Sequence, residues 1–189
     1  MKNTGIILLL FLTLIACKEQ ENVETVETEN TEVKSEEAFI AHLAVLDDSL
    51  SQVISTAFQQ QDKFPVGAYQ KAIEQHLAFY TAYPKNEAVA ESLDKAQSFY
   101  TQLRAEDKAV KWRDTIIFNF KNYKNRARVL ESQGVYFDAD NYNPEKIKLY
   151  YSMLLEDYPE LDSMKRADIQ YRLDNVNLTF EELIQSNNK

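Results

Sequence analysis

Apolar side chains recur at intervals of three and four residues along most of the chain, which is the spacing of one face of an α-helix. This pattern predicts an all-α fold of about six helices, arranged as antiparallel hairpins. The apolar stripes of the six helices begin at Phe39, Val66, Val89, Ala109, Ile147 and Ile169. Pro84, Gly134 and Pro159 stand at predicted helix ends.

Helix starts are marked by residues that cap well. Ser35 is a possible N-cap of the first helix, and Asn143-Pro144 combines a capping side chain with a proline at the first helical position. Either Asp162 or Ser163 opens the last helix. Because no proline or glycine divides the third helix from the fourth, the two could also form one long kinked helix.

The first 16 residues have the pattern of a signal peptide. Lys2 supplies a positive charge, and an apolar run from Ile6 to Ile15 follows it. Ten residues rise only about 15 Å as a helix, about half the thickness of a bilayer core. The segment is therefore expected to be cleaved rather than to span the membrane.

The apolar run ends in Leu14-Ile15-Ala16-Cys17, which resembles the lipobox of bacterial lipoproteins. The resemblance implies that Cys17 is acylated and anchors the mature chain to a membrane of the cell envelope. Lys18-Glu19 is similar to the export signal of Bacteroidetes lipoproteins, which implies the outer membrane and leaves open the cell surface. Cys17 is the only cysteine, so the mature chain is expected to form no disulfide within itself.

Cys17 and the acidic segment 18–37 are expected to form a flexible tether. Residues 18–37 hold eight Glu and two Lys, a net charge of −6, and no aromatic residue. Such a composition buries too little apolar surface to offset the entropy of ordering. Residues 38–189 then remain as a single helical domain, which carries −4 of the total charge of −9 once Lys2 and the tether are set apart.

Two segments of the helical domain match each other. In each, a helix ends in Tyr-Pro, at Tyr83-Pro84 and at Tyr158-Pro159, and a second helix follows after a polar turn. These segments, roughly 66–103 and 144–185, resemble the helix pairs of the BamD-type tetratricopeptide lipoproteins. The resemblance implies a concave helical surface that binds partner proteins. The two units stand 75 residues apart rather than one repeat of about 34, so unrelated helical hairpins remain the alternative.

The sequence contains no recognisable catalytic, cofactor or metal motif. With only Gly67 and Gly134 after the signal peptide, no glycine-rich loop can hold a phosphate group. His42 and His76 have no second ligand at metal spacing, and they are expected to be partly buried on helices. Asp138-x-Asp140 lacks the glycine of a calcium loop and is expected to be a solvated turn. No cofactor and no enzymatic activity are expected.

Seven Lys and Arg residues crowd the predicted fourth helix, and three of them could form an interaction surface. Lys121, Lys124 and Arg128 would share one helix face at positions i, i+3 and i+7. Such charges either pair with acidic neighbouring helices or meet an anionic partner such as lipid headgroups. A nucleic acid is not expected, because the domain is acidic and is expected to lie outside the cytoplasm.

Tyrosine is abundant, and the apolar stripes carry many of its eleven copies. They could pack in the core with the hydroxyl at the rim, or they could line an exposed groove for a peptide or glycan. The expected function is therefore binding or scaffolding through a protein partner. A surface binder of a glycan or small ligand is the second hypothesis, and an enzyme of unrecognised type is the third.

Overall fold

The computed structural model describes residues 35–187, so the predicted signal peptide, Cys17 and nearly all of the tether lie outside it. The described part is all-α and contains no strand, which confirms the predicted fold class. It holds eight α-helices and one π-helical segment: α1 (Glu36–Gln59), α2 (Val66–Ala82), α3 (Val89–Gln102), α4 (Glu106–Asn119), α5 (Arg126–Val135), the π segment (Tyr136–Asp140), α6 (Pro144–Asp157), α7 (Ser163–Asp174) and α8 (Phe180–Asn187). The last two residues of the predicted tether, Glu36 and Glu37, belong to α1.

Eight helices replace the predicted six because two of the predicted helices are each divided. The predicted fourth helix breaks at residues 120–125 into α4 and α5, and the predicted last helix breaks at 175–179 into α7 and α8. The alternative of a single kinked helix through α3 and α4 is wrong. Arg104, between these helices, has a left-handed φ of 56°, which ends the helix without any glycine or proline.

Three helices begin at side-chain caps that the sequence indicated. Ser35 Oγ accepts from the Ala38 amide at 3.2 Å, and Asn143 Oδ1 accepts from the Lys146 amide at 3.1 Å. At α7 the cap is Asp162, whose carboxylate accepts from the amides of the two residues after Ser163. Each side chain satisfies an amide that the first helical turn leaves without a partner.

The chain repeats one helical hairpin three times, as α2–α3, α4–α5 and α6–α7. The first helix of each hairpin ends at an aromatic residue of nearly the same backbone conformation: Tyr83 (φ −133°, ψ 57°), Phe120 (−123°, 61°) and Tyr158 (−132°, 70°). These ends are 37 and 38 residues apart. In each turn the aromatic carbonyl accepts from the amide three residues later, at 3.0 to 3.2 Å. The 75-residue spacing between the Tyr-Pro units thus equals two hairpin repeats, and the second of the three hairpins has Lys121 in place of proline.

Each helix packs mainly on its neighbours in the sequence, from α1 on α2 to α6 on α7. The larger of two apolar clusters runs through the hairpins, and Phe79, Leu93, Ile116, Leu130 and Ile147 are among its fully buried members. Gly134 does not end a helix, as the sequence had suggested, because α5 runs on to Val135 and into the π segment. Its missing side chain instead admits the ring of Tyr151 from α6.

Candidate functional site

The predicted basic surface is not a helix face. Lys121 and Lys124 lie in the turn between α4 and α5, and only Arg128 lies on a helix, in the first turns of α5. The prediction that the three share positions i, i+3 and i+7 of one helix is therefore wrong. It failed because the turn after Phe120 contains no proline or glycine to signal the break.

Two of these three cations pair with acidic residues of α3. Lys124 Nζ lies 3.2 Å from Oε2 of Glu91, and both side chains are largely exposed. Arg128 bonds Asp94, whose carboxylate is 7% exposed and also accepts from the hydroxyl of Tyr123 at 2.8 Å. Burial, with the hydrogen bond to Asp94, raises the pKa of Tyr123. Arg128 thus neutralises a buried carboxylate, which is a structural role.

Lys121 is exposed and makes no ion pair or hydrogen bond with any residue in the described part of the chain. It borders an open cleft of about 560 Å³ between the α2–α3 turn and the α4–α5 turn. Lys85 and Lys124 also line this cleft, and so do Glu87 and Glu91, which leaves three lysines against two carboxylates. We call this feature the basic cleft. Its excess of one positive charge, with Glu91 already paired to Lys124, suits an anionic segment better than an apolar one.

A second polar cluster joins α1 to the first hairpin, around His76. This side chain is 1% exposed, with Nε2 2.9 Å from Oδ1 of Asp47 and Nδ1 2.8 Å from Oγ of Ser92. Lys95 bonds the other oxygen of Asp47. Burial raises the pKa of the Asp47 carboxyl, but the hydrogen bonds from His76 and Lys95 outweigh it and hold the pKa below its ordinary value of 3.8.

Aspartate, histidine and serine in one hydrogen-bonded chain are the residue types of a nucleophilic triad. A nucleophile must reach its substrate, however, and Ser92 is only 4% exposed, with its hydroxyl 3.2 Å from the carbonyl oxygen of His76. A cleft of about 220 Å³ adjoins the cluster. The arrangement is suited to holding α1 against the hairpin. Sequence reasoning missed it because Asp47 and His76 are 29 residues apart.

The second hairpin contains a buried arginine, Arg113, which is one of the seven basic residues of the predicted fourth helix. Arg113 is 4% exposed and donates to the side chains of Gln97 at 3.0 Å, Thr101 at 3.0 Å and Gln133 at 3.2 Å. It also forms an ion pair of 2.6 Å with Glu106. Its donors are thus used in joining α3, α4 and α5 rather than offered to a ligand.

The predicted solvated turn at Asp138-x-Asp140 is wrong. Both residues belong to the π segment, and Asp138 is 9% exposed. Arg172 donates its Nε to both oxygens of Asp138 at 2.8 Å. Within residues 35–187, no three His, Cys, Asp or Glu side chains converge to hold a metal ion. His42 is half-buried, as expected, whereas His76 is fully buried.

The tyrosines of the apolar stripes are mostly inside the fold. Of the seven at positions 80, 83, 100, 123, 151, 158 and 171, only Tyr171 is exposed, at 45%. The others are buried or half-buried, which fits packing in the core with the hydroxyl at its edge. Tyr150 is fully buried and donates its hydroxyl to Asp114 at 2.7 Å.

No family model, curated protein or solved structure matches this chain. In the part of the chain that the structure describes, every helix is too short or too polar to cross a membrane. The function of the chain therefore has to be inferred from its own residues.

Proposed function

We propose that this chain is a lipid-anchored scaffolding protein of the bacterial cell envelope, and that it acts by binding another protein. The lipid would be carried by Cys17, which follows the apolar run and the residues that resemble a lipobox. Segment 18–37, with its charge of −6, would separate the domain from the membrane. The outer membrane is the proposed location.

The observation that carries the binding function is the threefold hairpin, which supports a tetratricopeptide-like stack. His76, Arg113 and Tyr150 are spaced by 37 residues and are all buried, one in the first helix of each hairpin. Each makes a polar contact to a helix before its own: His76 to α1, Arg113 to α3 and Tyr150 to α4. Stacked hairpins of this kind present extended surfaces, which repeat proteins use to bind other proteins.

The basic cleft is the proposed contact for the partner, which would offer an acidic segment. Lys121 has no partner within residues 35–187, and the pair between Lys124 and Glu91 is exposed enough to exchange. Exposed pairs of this kind contribute about 0–1 kcal/mol, so a competing carboxylate could replace Glu91 at little cost.

Charge reversal in the cleft tests the proposal. We expect the double substitution Lys85→Glu and Lys121→Glu to remove a partner that crosslinks to the wild-type chain in native membranes, at an unchanged melting temperature. Lys148→Glu is the matched control, because Lys148 is an exposed lysine on α6 outside the cleft. Association should also weaken as salt rises, since charge attraction is screened over about 8 Å at physiological ionic strength. Retention of every partner by the double variant would refute the cleft as the contact.

Anchoring is tested separately. Cys17→Ser should abolish incorporation of labelled palmitate and leave unprocessed precursor that still carries the signal peptide. Normal labelling of this variant would exclude the lipoprotein assignment, whatever the cleft binds.

A further inference from the structure

The second helices of the three hairpins present equivalent faces. Positions 90, 93, 94 and 97 of α3 correspond, at intervals of 37 residues, to 127, 130, 131 and 134 of α5 and to 164, 167, 168 and 171 of α7. On α3 all four positions are buried, and on α5 they are buried or half-buried. The following hairpin covers both faces: Arg113 of α4 reaches Gln97, and Tyr151 of α6 packs on Gly134.

An ion pair recurs at this face with the same interval. Asp94 of α3 bonds Arg128 of α5, and Glu131 of α5 bonds Lys165 of α7 at 2.7 Å. The carboxylates are 37 residues apart, and so are the two cations. The second helices α3 and α5 therefore each offer a carboxylate to a basic side chain of the next second helix.

All four corresponding positions of α7 are exposed. Met164 is 75% exposed and Tyr171 is 45% exposed, and Ala167 and Asp168 are also exposed. Asp168 occupies the position of Asp94 and Glu131, but within residues 35–187 no cation pairs with it. The eight-residue α8 leaves the face exposed.

We propose that the α7 face of Met164, Ala167, Asp168 and Tyr171 docks an amphipathic helix of another protein, which places a Lys or Arg against Asp168. Small or apolar residues of that helix cover Met164 and Tyr171, as the following hairpin covers the equivalent positions on α3 and α5. Docking on α7 does not depend on the basic cleft, so an experiment can refute either binding surface and leave the other standing.

Charge argues against a second copy of the chain as the occupant. In a head-to-tail stack, α1 of the second copy would cover α7, but α1 contains no Lys or Arg and carries two Asp and two Glu. Two α7 helices facing each other would bring Asp168 near its own copy, while Lys165 and Arg166 are already bonded to Glu131 and to backbone carbonyls of 155 and 158. Like charges at the centre of an interface oppose association.

A stapled helical peptide with the sequence of α7, Ser163–Asp174, and the substitution Asp168→Asn is a suitable probe. The chain itself sets Lys165 of this helix against Glu131, and the substitution removes the carboxylate that would repel Asp168 of the chain. We expect the fluorescently labelled peptide to bind the full chain saturably, by fluorescence anisotropy. Asp168→Lys in the chain should weaken binding about tenfold, since attraction becomes repulsion. A peptide with Lys165→Glu should bind the Asp168→Lys chain better than the unchanged peptide does. Asp107→Lys, an exposed reversal on α4, is the control and should have no effect.

Four outcomes would overturn the proposal. The first is an absence of saturable binding at peptide concentrations up to about 1 mM, and the second is binding that Asp168→Lys does not weaken. The third is failure of the peptide with Lys165→Glu to bind the Asp168→Lys chain better. The fourth is self-association of the wild-type chain in sedimentation that Met164→Glu abolishes. The last result would assign the face to a second copy. Circular dichroism of each variant should match the wild type, because the substituted side chains are exposed.

Discussion

Gly134 of α5 lies directly against the ring of Tyr151 of α6. A Cβ atom built on Gly134 would be 2.3 Å from Cε1 and 2.6 Å from Cδ1 of that ring, much closer than carbon atoms approach in proteins. The ring is 7% exposed and packed in the core, so it has little room to retreat. The absent side chain thus sets how closely the second and third hairpins meet.

Gly134→Ala should therefore lower the free energy of unfolding, by about 1–3 kcal/mol for the overpacking, reduced by up to about 1 kcal/mol from the better helix propensity of alanine. Chemical denaturation of the full chain would measure the change. Gly67→Ala is the matched control, because a Cβ at Gly67 meets nothing within 4 Å. That control should be neutral or slightly stabilising. Equal effects of the two substitutions would contradict the close contact.

The free energy of unfolding should depend on pH in the acid range because of Asp47. Its pKa is lowered in the folded chain, so the contribution of the charged form is fully present above the ordinary pKa of 3.8 and is lost as pH falls through the folded value. Asp47→Asn should lower the free energy of unfolding by about 1–3 kcal/mol at pH 7, because His76 and Lys95 lose a charged acceptor.

The difference between Asp47→Asn and the wild type should shrink as pH falls below about 4. Thermal melts at several pH values would measure it, with the exposed neighbour Asp48 changed to Asn as the control. A difference that stays constant down to pH 2 would show that the substitution acts through packing and not through the charge of Asp47.

Buried and exposed ion pairs of this chain should differ sharply in their effect on stability. The side chains of Arg172 and Asp138 are 7% and 10% exposed, and the guanidinium also donates to the carbonyls of 175 and 178 at 2.7 and 2.8 Å. Arg172→Met would leave the Asp138 charge buried without a partner, at a cost of about 3–5 kcal/mol. Lys124→Ala, which removes a pair that is 69% and 49% exposed, should cost about 0–1 kcal/mol.

The double variant Asp138→Leu with Arg172→Met separates the charge from the packing. Removing both charges should restore much of the stability, because an apolar pair avoids the desolvation of two ions. A double variant that is as unstable as Arg172→Met alone would mean that the polar contacts to the segment after α7 are what stabilise this end of the chain.

The elements that could be predicted from the sequence are those whose signals are local. The capping residues Ser35, Asn143 and Asp162 act within three residues of their own position, and apolar periodicity reports the buried face of a helix. The break at Phe120 was missed because its turn lacks proline and glycine. A glycine after an apolar stripe predicts a helix end, but the constraint at Gly134 is the Tyr151 ring, which comes from another helix.

The candidate sites depend on contacts between distant residues, and these leave no local pattern. The partners Asp94 and Arg128 are 34 residues apart, so the sequence could give the charges but not their pairing. The same holds for Asp47 with His76. Within residues 35–187, the lack of an ion pair at Lys121 and the exposure of the α7 face around Asp168 both depend on how the hairpins stack. Neither can be read from the sequence alone.

The turn after Phe120 should accept a proline, although it has none. Phe120 has almost the backbone conformation of Tyr83 and Tyr158, and both of these precede proline. The Lys121 amide makes no hydrogen bond in the turn, so no bond would be lost. Lys121→Pro should then stabilise the chain by about 0.4–1 kcal/mol, because proline reduces the entropy of the unfolded state where the folded backbone already suits it.

Asn119→Pro is the control for Lys121→Pro, because it falls in the last turn of α4, where proline would remove a helical hydrogen bond and cost about 3 kcal/mol. Chemical denaturation would measure both, and a large loss of stability in Lys121→Pro would mean that the middle turn is not equivalent to the other two.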